Sequence, residues 1–295
     1  MYADDTTLNF NLEEFPLPDR EGSINNELDK VNTWLKLNKL TLNTDKTKCM
    51  LFHKRRKVNP LQLSINDQQI SQVDQFTFLG VLLDDTLSWK NHINMVTNKL
   101  SKIIGILHRL KHYYPDNILL TIYNSLFVPH LNYGSLAWGS VSDRLETIQK
   151  KAVRIITHSN YIAHTEPIFK YLGLLKVKDL FAFKLLKFLH KLSHNELPPY
   201  FDVYRPYLEK IITPYNLRPH PLPIPLVAHK YAESGLVYQL VSMKNQISEN
   251  DELVMRKLEE RSHSHAGFCS YVKLTMLEKY QYLCVLRVCR TCGRS

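Results

Sequence analysis

With 295 residues the chain is longer than a single hydrophobic core usually supports, so two domains with buried cores are expected. Lysines and arginines number 38 against 28 aspartates and glutamates, a formal charge of +10, which favours an anionic partner and nucleic acid foremost, although a merely soluble basic protein reads the same from charge alone. No apolar run approaches the roughly 20 residues of a membrane helix, MYADD lacks the apolar length of a secretory signal, and five cysteines, four of them in the last 27 residues, argue against a disulfide framework, so a reducing intracellular setting, nuclear or cytoplasmic, is expected.

The first residues, MYADDTTL, read as a strand, a tight Asp4-Asp5 turn and a returning strand. Such a turn projects carboxylates beyond a sheet edge, where hard divalent cations take oxygen ligands. Acidic turns are also ordinary surface features, so the pair alone decides nothing. In SINNELDKVNTWLKLNK, Ile24, Leu28, Val31 and Leu35 recur at helical spacing, with Ser23 placed as the N-cap. CMLFH (49–53), LQLSI (61–65) and FTFLGVLL (76–83) come next as strand-like runs separated by NP and ND turn signals. They predict a small antiparallel sheet carrying that helix on one face.

After Trp89 the period changes. Ile93, Val96, Leu100, Ile103, Ile104 and Leu107 form one helical stripe, with Lys99, Lys102 and Arg109 beside it. A second amphipathic segment places Leu145, Ile148, Ala152 and Ile155 toward a core and Arg144, Lys151 and Arg154 on another face. Either charge set reads equally as a solvated helix side or as a phosphate-binding face. Residues 177–194 predict another buried helix through Leu180, Phe183, Leu186, Phe188 and Leu192. Eight of the 14 prolines then fall between Pro198 and Pro225, where missing N–H groups and fixed φ predict an extended strap rather than helix. Shorter helices are expected beyond it, and no internal repeat is present. The terminal Cys284-x4-Cys289-x2-Cys292 offers a CxxC pair for Zn²⁺; a fourth ligand is not obvious, Cys269, His263 and His265 being candidates, and free thiols on the tail are the expected state.

Taken together, these segments carry a resemblance. YADDTTL (2–8) resembles the catalytic palm motif of reverse transcriptases, and the segments after it are similar to the non-LTR, LINE-type retrotransposon enzymes, jockey-like elements especially. WLKLNKLTLNTDKTKCMLF (34–52) resembles that family's helix-then-strand motif, and FTFLGVLLDDTLSWKNHI (76–93) its primer-grip strand pair and the start of the thumb. YNSLFVPHLNYGSLAWG (123–139), LETIQKKAVRIIT (145–157) and HTEPIFKYLGLLKVKDL (164–180) resemble its thumb and connection.

The resemblance implies an RNA-directed DNA polymerase acting on an RNA and DNA primer–template with Mg²⁺. It implies Asp4 as a metal ligand with Asp5 beside it, Tyr2 against template or primer, and Lys46 near the incoming triphosphate. Phe78, Leu79 and Gly80 would position the primer end, and the basic helix faces would hold nucleic acid. Asp84-Asp85 reads as a turn outside the active centre. The fold class expected is α+β: a partial palm over 1–88, a helical thumb and connection over 89–197, a proline-rich linker over 198–228 and a small helical tail over 229–295. Only Met1 stands before Tyr2, where the resemblance implies a full strand, so the chain is expected to be the carboxyl-terminal half of such an enzyme and catalytically incompetent alone. A non-catalytic nucleic-acid-binding module and a functionless translated relic are the alternatives.

Overall fold

In this computed structural model the described residues are 6–15, 19–53, 59–208, 222, 235–250, 268–274 and 276–277. Tyr2, Asp4, Asp5, most of the proline-rich segment, residues 251–267 and the three terminal cysteines lie outside them. The chain divides into two compact units, Met1–Ser88 and Trp89–Ser295, the first mixing short strands with one long helix and the second helical, an α+β protein.

In the first unit α1 spans Arg20–Leu37. It starts three residues before the expected cap: Asp19 occupies the N-cap position and Ser23 lies inside the helix. Gly22 accommodates this, because a Cβ there would come within 2.3 Å of the Asp19 carboxylate that lies over the first turn. A carboxylate at this end also suits the helix dipole. Ile24 and Leu28 of α1 pack on Leu63, Ile65 and Ile70, the core of the unit.

The strands are β1 (Lys48–Cys49), β2 (Ser64–Ile65), β3 (Gln68–Gln69), β4 (Ser71–Gln72), β5 (Gln75–Phe78) and β6 (Val81–Asp84). One antiparallel sheet was the expectation; among the described residues there are instead three two-stranded ladders, β1–β4 parallel, β2–β3 antiparallel and β5–β6 antiparallel. Side chains explain much of the shortening. The amides of Leu61, Gln62 and Ser64 donate to Gln72 Oε1 (2.9 Å), Glu21 Oε1 (3.0 Å) and Asn25 Oδ1 (3.0 Å), so donors available to a longer ladder are already used. Asn32 of α1 also exchanges amide hydrogen bonds with Asn66 in the β2–β3 turn, at 2.5 and 3.1 Å.

The second unit begins with α2 (Lys90–Leu110), whose Ile93, Val96, Leu100, Ile103 and Leu107 are buried as their spacing predicts. It packs on α6 (Asp143–Ile156). The buried stripe of α6 is wider than predicted: Leu145, Ile148 and Ala152 are joined by Gln149, Val153 and Ile156, while Ile155 is only half-buried. The cause is that α6 is covered on several sides, by α2, α7 (Thr165–Tyr171) and α8 (Val177–Ser193).

Between α2 and α6 run α3 (Asp116–Ile122), a π-helical turn (Tyr123–Phe127), α4 (Val128–Asn132) and α5 (Ser135–Trp138). Pro129 supplies the reason for the π turn. Its ring crowds the carbonyl four residues back and it has no N–H to donate, and the backbone widens in the turn before it, Val128 N–H reaching Tyr123 O. From α8, Lys184 donates to the Asn132 carbonyl at the end of α4 and to Ser135 Oγ (3.0 Å), and burial pushes its amine down to about 8.

Leu185, Leu186, Phe188, Leu189 and Leu192 of α8 form a core with Leu240 and Val241 of α9 (Leu236–Asn250) and with Phe268 and Val272. Part of the expected strap departs from an extended form: Pro199–Tyr207 is a 3-10 helix. Pro199 stands in its first turn, where the missing N–H would have had no helical partner. Among the described residues no helix is long and apolar enough to cross a membrane.

Candidate nucleic-acid interface

In the first unit the run 76–83 is a hairpin rather than one strand. Phe78 pairs with Val81, leaving Leu79 and Gly80 as a two-residue turn with φ of 45° and 80°. Two positive φ angles match the twist of a tight hairpin, but a leucine in that region is strained where glycine is not. Phe78 and Leu79 are half-buried and Gly80 is exposed, so this trio forms a hairpin tip.

Asp84, at the end of β6, is 5% exposed. Its Oδ1 accepts from Thr86 N (3.2 Å), Thr86 Oγ1 (2.7 Å) and Ser88 N (2.8 Å), and Oδ2 accepts from Ser88 Oγ (3.1 Å). Burial alone would raise its pKa; the Ser88 and Thr86 hydrogen bonds outweigh that and hold the carboxyl below its usual range. Asp85 pairs with His53, Oδ2 to Nε2 at 3.2 Å. Asp84-Asp85 is thus a structural turn, with both Asp84 oxygens hydrogen-bonded to the following residues and Asp85 paired with His53. Lys46 is exposed in a turn closed by Asn43, whose Oδ1 accepts from Lys46 N (3.1 Å) and whose carbonyl accepts from Thr47 Oγ1 (2.8 Å). Tyr2, Asp4 and Asp5 lie outside the described residues, as do Cys284, Cys289 and Cys292. Among the described residues no group of three or more His, Cys, Asp or Glu side chains is arranged to hold a metal.

In the second unit the two basic helices lie side by side. Arg144 Nη1 reaches from the start of α6 to Asn94 Oδ1 near the start of α2 at 2.6 Å. At the other end His158 Nε2, just past α6, is 3.5 Å from Asp116 Oδ1, the first residue of α3 after the turn that follows α2. The two helices therefore run in the same direction. Lys99, Lys102, Arg109, Arg144 and Lys151 are exposed, and Arg154 is half-buried.

The six do not do the same work. Lys102 and Arg109 lie on the outer side of α2. Lys99 stands where its charge acts on His92 and on His130 of α4; burial first, then Lys99, holds both imidazoles below their usual pKa. Arg144 bridges to α2, and Arg154 Nε donates to Ala163 O (2.9 Å), fastening the α6–α7 connection. Lys102, Arg109 and Lys151 remain as exposed cations, with Arg109 Nε 3.4 Å from Gly105 O on its own helix.

Two features were not anticipated from the sequence. Gln149, 1% exposed, joins three segments: its Nε2 donates to Tyr123 Oη (3.0 Å) and Leu175 O (2.9 Å), and its Oε1 accepts from Val177 N (2.9 Å). Tyr123 is itself buried, which pushes its phenol above the usual range despite the Gln149 bond. A glutamine four residues after Leu145 in an apolar stripe was the available signal. The other feature is a set of exposed aromatic residues at one end of α2 and α6, including Tyr113 and Tyr161.

The chain is similar to a transposon polymerase. Over 162 residues, 51% of this chain, it is 25% identical to the probable RNA-directed DNA polymerase from transposon X-element of Drosophila melanogaster, of which the match covers 17%. No protein-family profile matches the chain, and no solved structure matches it.

Proposed function

We propose that the chain is a nucleic-acid-holding part of an RNA-directed DNA polymerase of the non-LTR retrotransposon kind, the first unit contributing palm elements and the second a thumb and connection. The similarity over 162 residues to the X-element polymerase carries this reading. The exposed cations of α2 and α6 support it, because phosphates are bound through such charges with little regard to sequence. On this reading the Phe78-Leu79-Gly80 tip touches the primer end, Lys46 lies toward the triphosphate, and Asp4 with Asp5 offers carboxylate to Mg²⁺. A polypeptide of these 295 residues supplies one such carboxylate pair and binds primer–template without extending it by itself.

The test is a titration of an RNA–DNA primer–template duplex at several salt concentrations. Contact with around four to six phosphates gives a slope of log affinity against log salt of roughly −3 to −5. The sextuple alanine variant of Lys99, Lys102, Arg109, Arg144, Lys151 and Arg154 should lose most of both affinity and slope. Because Arg144 and Arg154 also hold the fold, the triple variant Lys102→Ala, Arg109→Ala, Lys151→Ala is measured beside it. Wild-type affinity in the triple variant, or salt-insensitive binding, returns these charges to a solvated surface.

A further inference from the structure

We infer that the end of the helical unit formed by the α2–α3 and α6–α7 turns is a stacking platform for unpaired bases of single-stranded nucleic acid. The inference rests on the reading of the second unit as a nucleic-acid holder and names a second class of substrate for it, distinct from the duplex. Tyr113 and Tyr161 are 81% and 83% exposed, and Tyr114 and Ile162 beside them are also exposed. Aromatic and apolar side chains concentrated this way on a protein surface mark a contact site.

The two turns belong to one surface. Asp116 and His158 join them at 3.5 Å, at the end of two helices that run in the same direction. Both turns are also built to hold their shape. Tyr113 N and Tyr114 N donate to Leu110 O at 3.0 and 3.1 Å. Ser159 N donates to Arg154 O (2.9 Å), Ala163 N to Asn160 O (3.0 Å) and Arg154 Nε to Ala163 O (2.9 Å). Rings presented on an ordered backbone lose little freedom when a flat partner lands on them.

Charge selects the occupant. Residues 108–116 and 150–164 contain five lysines and arginines, namely Arg109, Lys111, Lys150, Lys151 and Arg154, against one acid, Asp116, a balance of 5 − 1 = +4. Lys150 is paired with Glu146 at 2.6 Å, which leaves the positive sign unchanged. Flat aromatic rings on two turns whose flanking segments carry net positive charge match a strand that offers base faces and phosphates together. A duplex keeps its base faces stacked inside and cannot use the tyrosines except at an end. The duplex thus takes the helix sides, and an unpaired strand takes this end.

The experiment uses the full chain and four fluorescein-labelled probes: oligo(U) and oligo(dT) 20-mers, a blunt RNA–DNA duplex, and the same duplex with an unpaired template overhang. The double variant Tyr113→Ala, Tyr161→Ala should bind both single strands at least about tenfold more weakly, as stacking one base on an aromatic ring contributes roughly five- to 150-fold and two rings are removed. Its affinity for the blunt duplex should change less than twofold, and Tyr113→Phe, Tyr161→Phe should restore single-strand binding. Weakening of only one of the two single strands would still support the platform and show which of the two strand types it takes. Unchanged single-strand binding in the alanine variant overturns the inference. So does equal loss on single strand and duplex, or a wild-type dimer that the alanine variant disperses, which would make the patch a contact between copies. If wild type binds the blunt duplex but no single strand, only the platform fails; if it binds neither, the proposed function fails with it.

Discussion

Asp84 shows how much one carboxylate can organise. It takes four hydrogen bonds from two residues in the five-residue stretch leading from β6 to α2, satisfying backbone N–H groups that would otherwise be exposed to competition. Removing it with Asp84→Ala strips Thr86 and Ser88 of their acceptor at a nearly buried site. A loss of about 2 kcal/mol in denaturant unfolding is expected, in the range for a lost charged cap. Since the folded carboxyl titrates below its unfolded value, the stabilisation is fully present above about pH 4 and is lost as pH falls through the folded pKa. His92 behaves in the opposite chemical sense and gives the same sign. It is buried against Trp89 and Trp138, with ring centroids at 6.4 and 5.2 Å, and burial with Lys99 nearby depresses its pKa. The unfolded chain takes up the proton near pH 6.5 while the folded chain does so only lower. Stability is therefore complete above that value and declines as pH falls below it. Thermal melts from pH 5 to 7 should show a rising midpoint, and His92→Gln should make that rise shallower; an identical slope in the variant assigns the rise to other groups.

At the scale of elements, α6 is the hub of the helical unit because its stripe is apolar at most buried positions and hydrogen-bonded at one. Gln149 satisfies a phenol, a carbonyl and the amide of Val177, the first residue of α8, so three segments share one side chain. Gln149→Leu keeps the volume and removes every partner. It should destabilise the protein by roughly 3 kcal/mol or more, the expected cost of leaving several buried polar groups unpaired, read as a lower denaturant midpoint at unchanged slope. A shift under about 0.5 kcal/mol would mean that the network is not a buried one in solution. The π turn before Pro129 is a second element-scale device, since it lets one helical stretch absorb a proline while Tyr123 and Phe127 remain buried and stacked with centroids 4.8 Å apart.

For the whole molecule, the net charge of +10 becomes meaningful through its placement. Exposed cations run along α2 and α6, and exposed tyrosines stand on the turns that follow them. The corresponding prediction is functional: purified 295-residue polypeptide binds primer–template but leaves the primer unextended with Mg²⁺ or Mn²⁺. Template-dependent extension abolished by Asp4→Ala would overturn it and assign a complete metal site to this polypeptide.

Periodicity in the sequence was enough to determine the long helices, because a stripe such as Ile93, Val96, Leu100, Ile103 and Leu107 has one way to be buried and the helix carries its own hydrogen bonds. The turn at Leu79-Gly80 carries a local signal, since glycine takes a positive φ without strain. The strands were not, because a strand needs a partner, and the partners of residues 61–64 proved to include Glu21, Asn25 and Gln72 side chains. Only tertiary structure could decide that Gln149 joins three segments, or that the turns of Tyr113 and Tyr161 share one end of the helical unit. Those facts depend on two helices lying side by side in the same direction, fixed by contacts such as Arg144 to Asn94 and His158 to Asp116 between residues far apart in the chain. Local propensity carries no information about which distant surfaces meet; the packing of buried stripes supplies it.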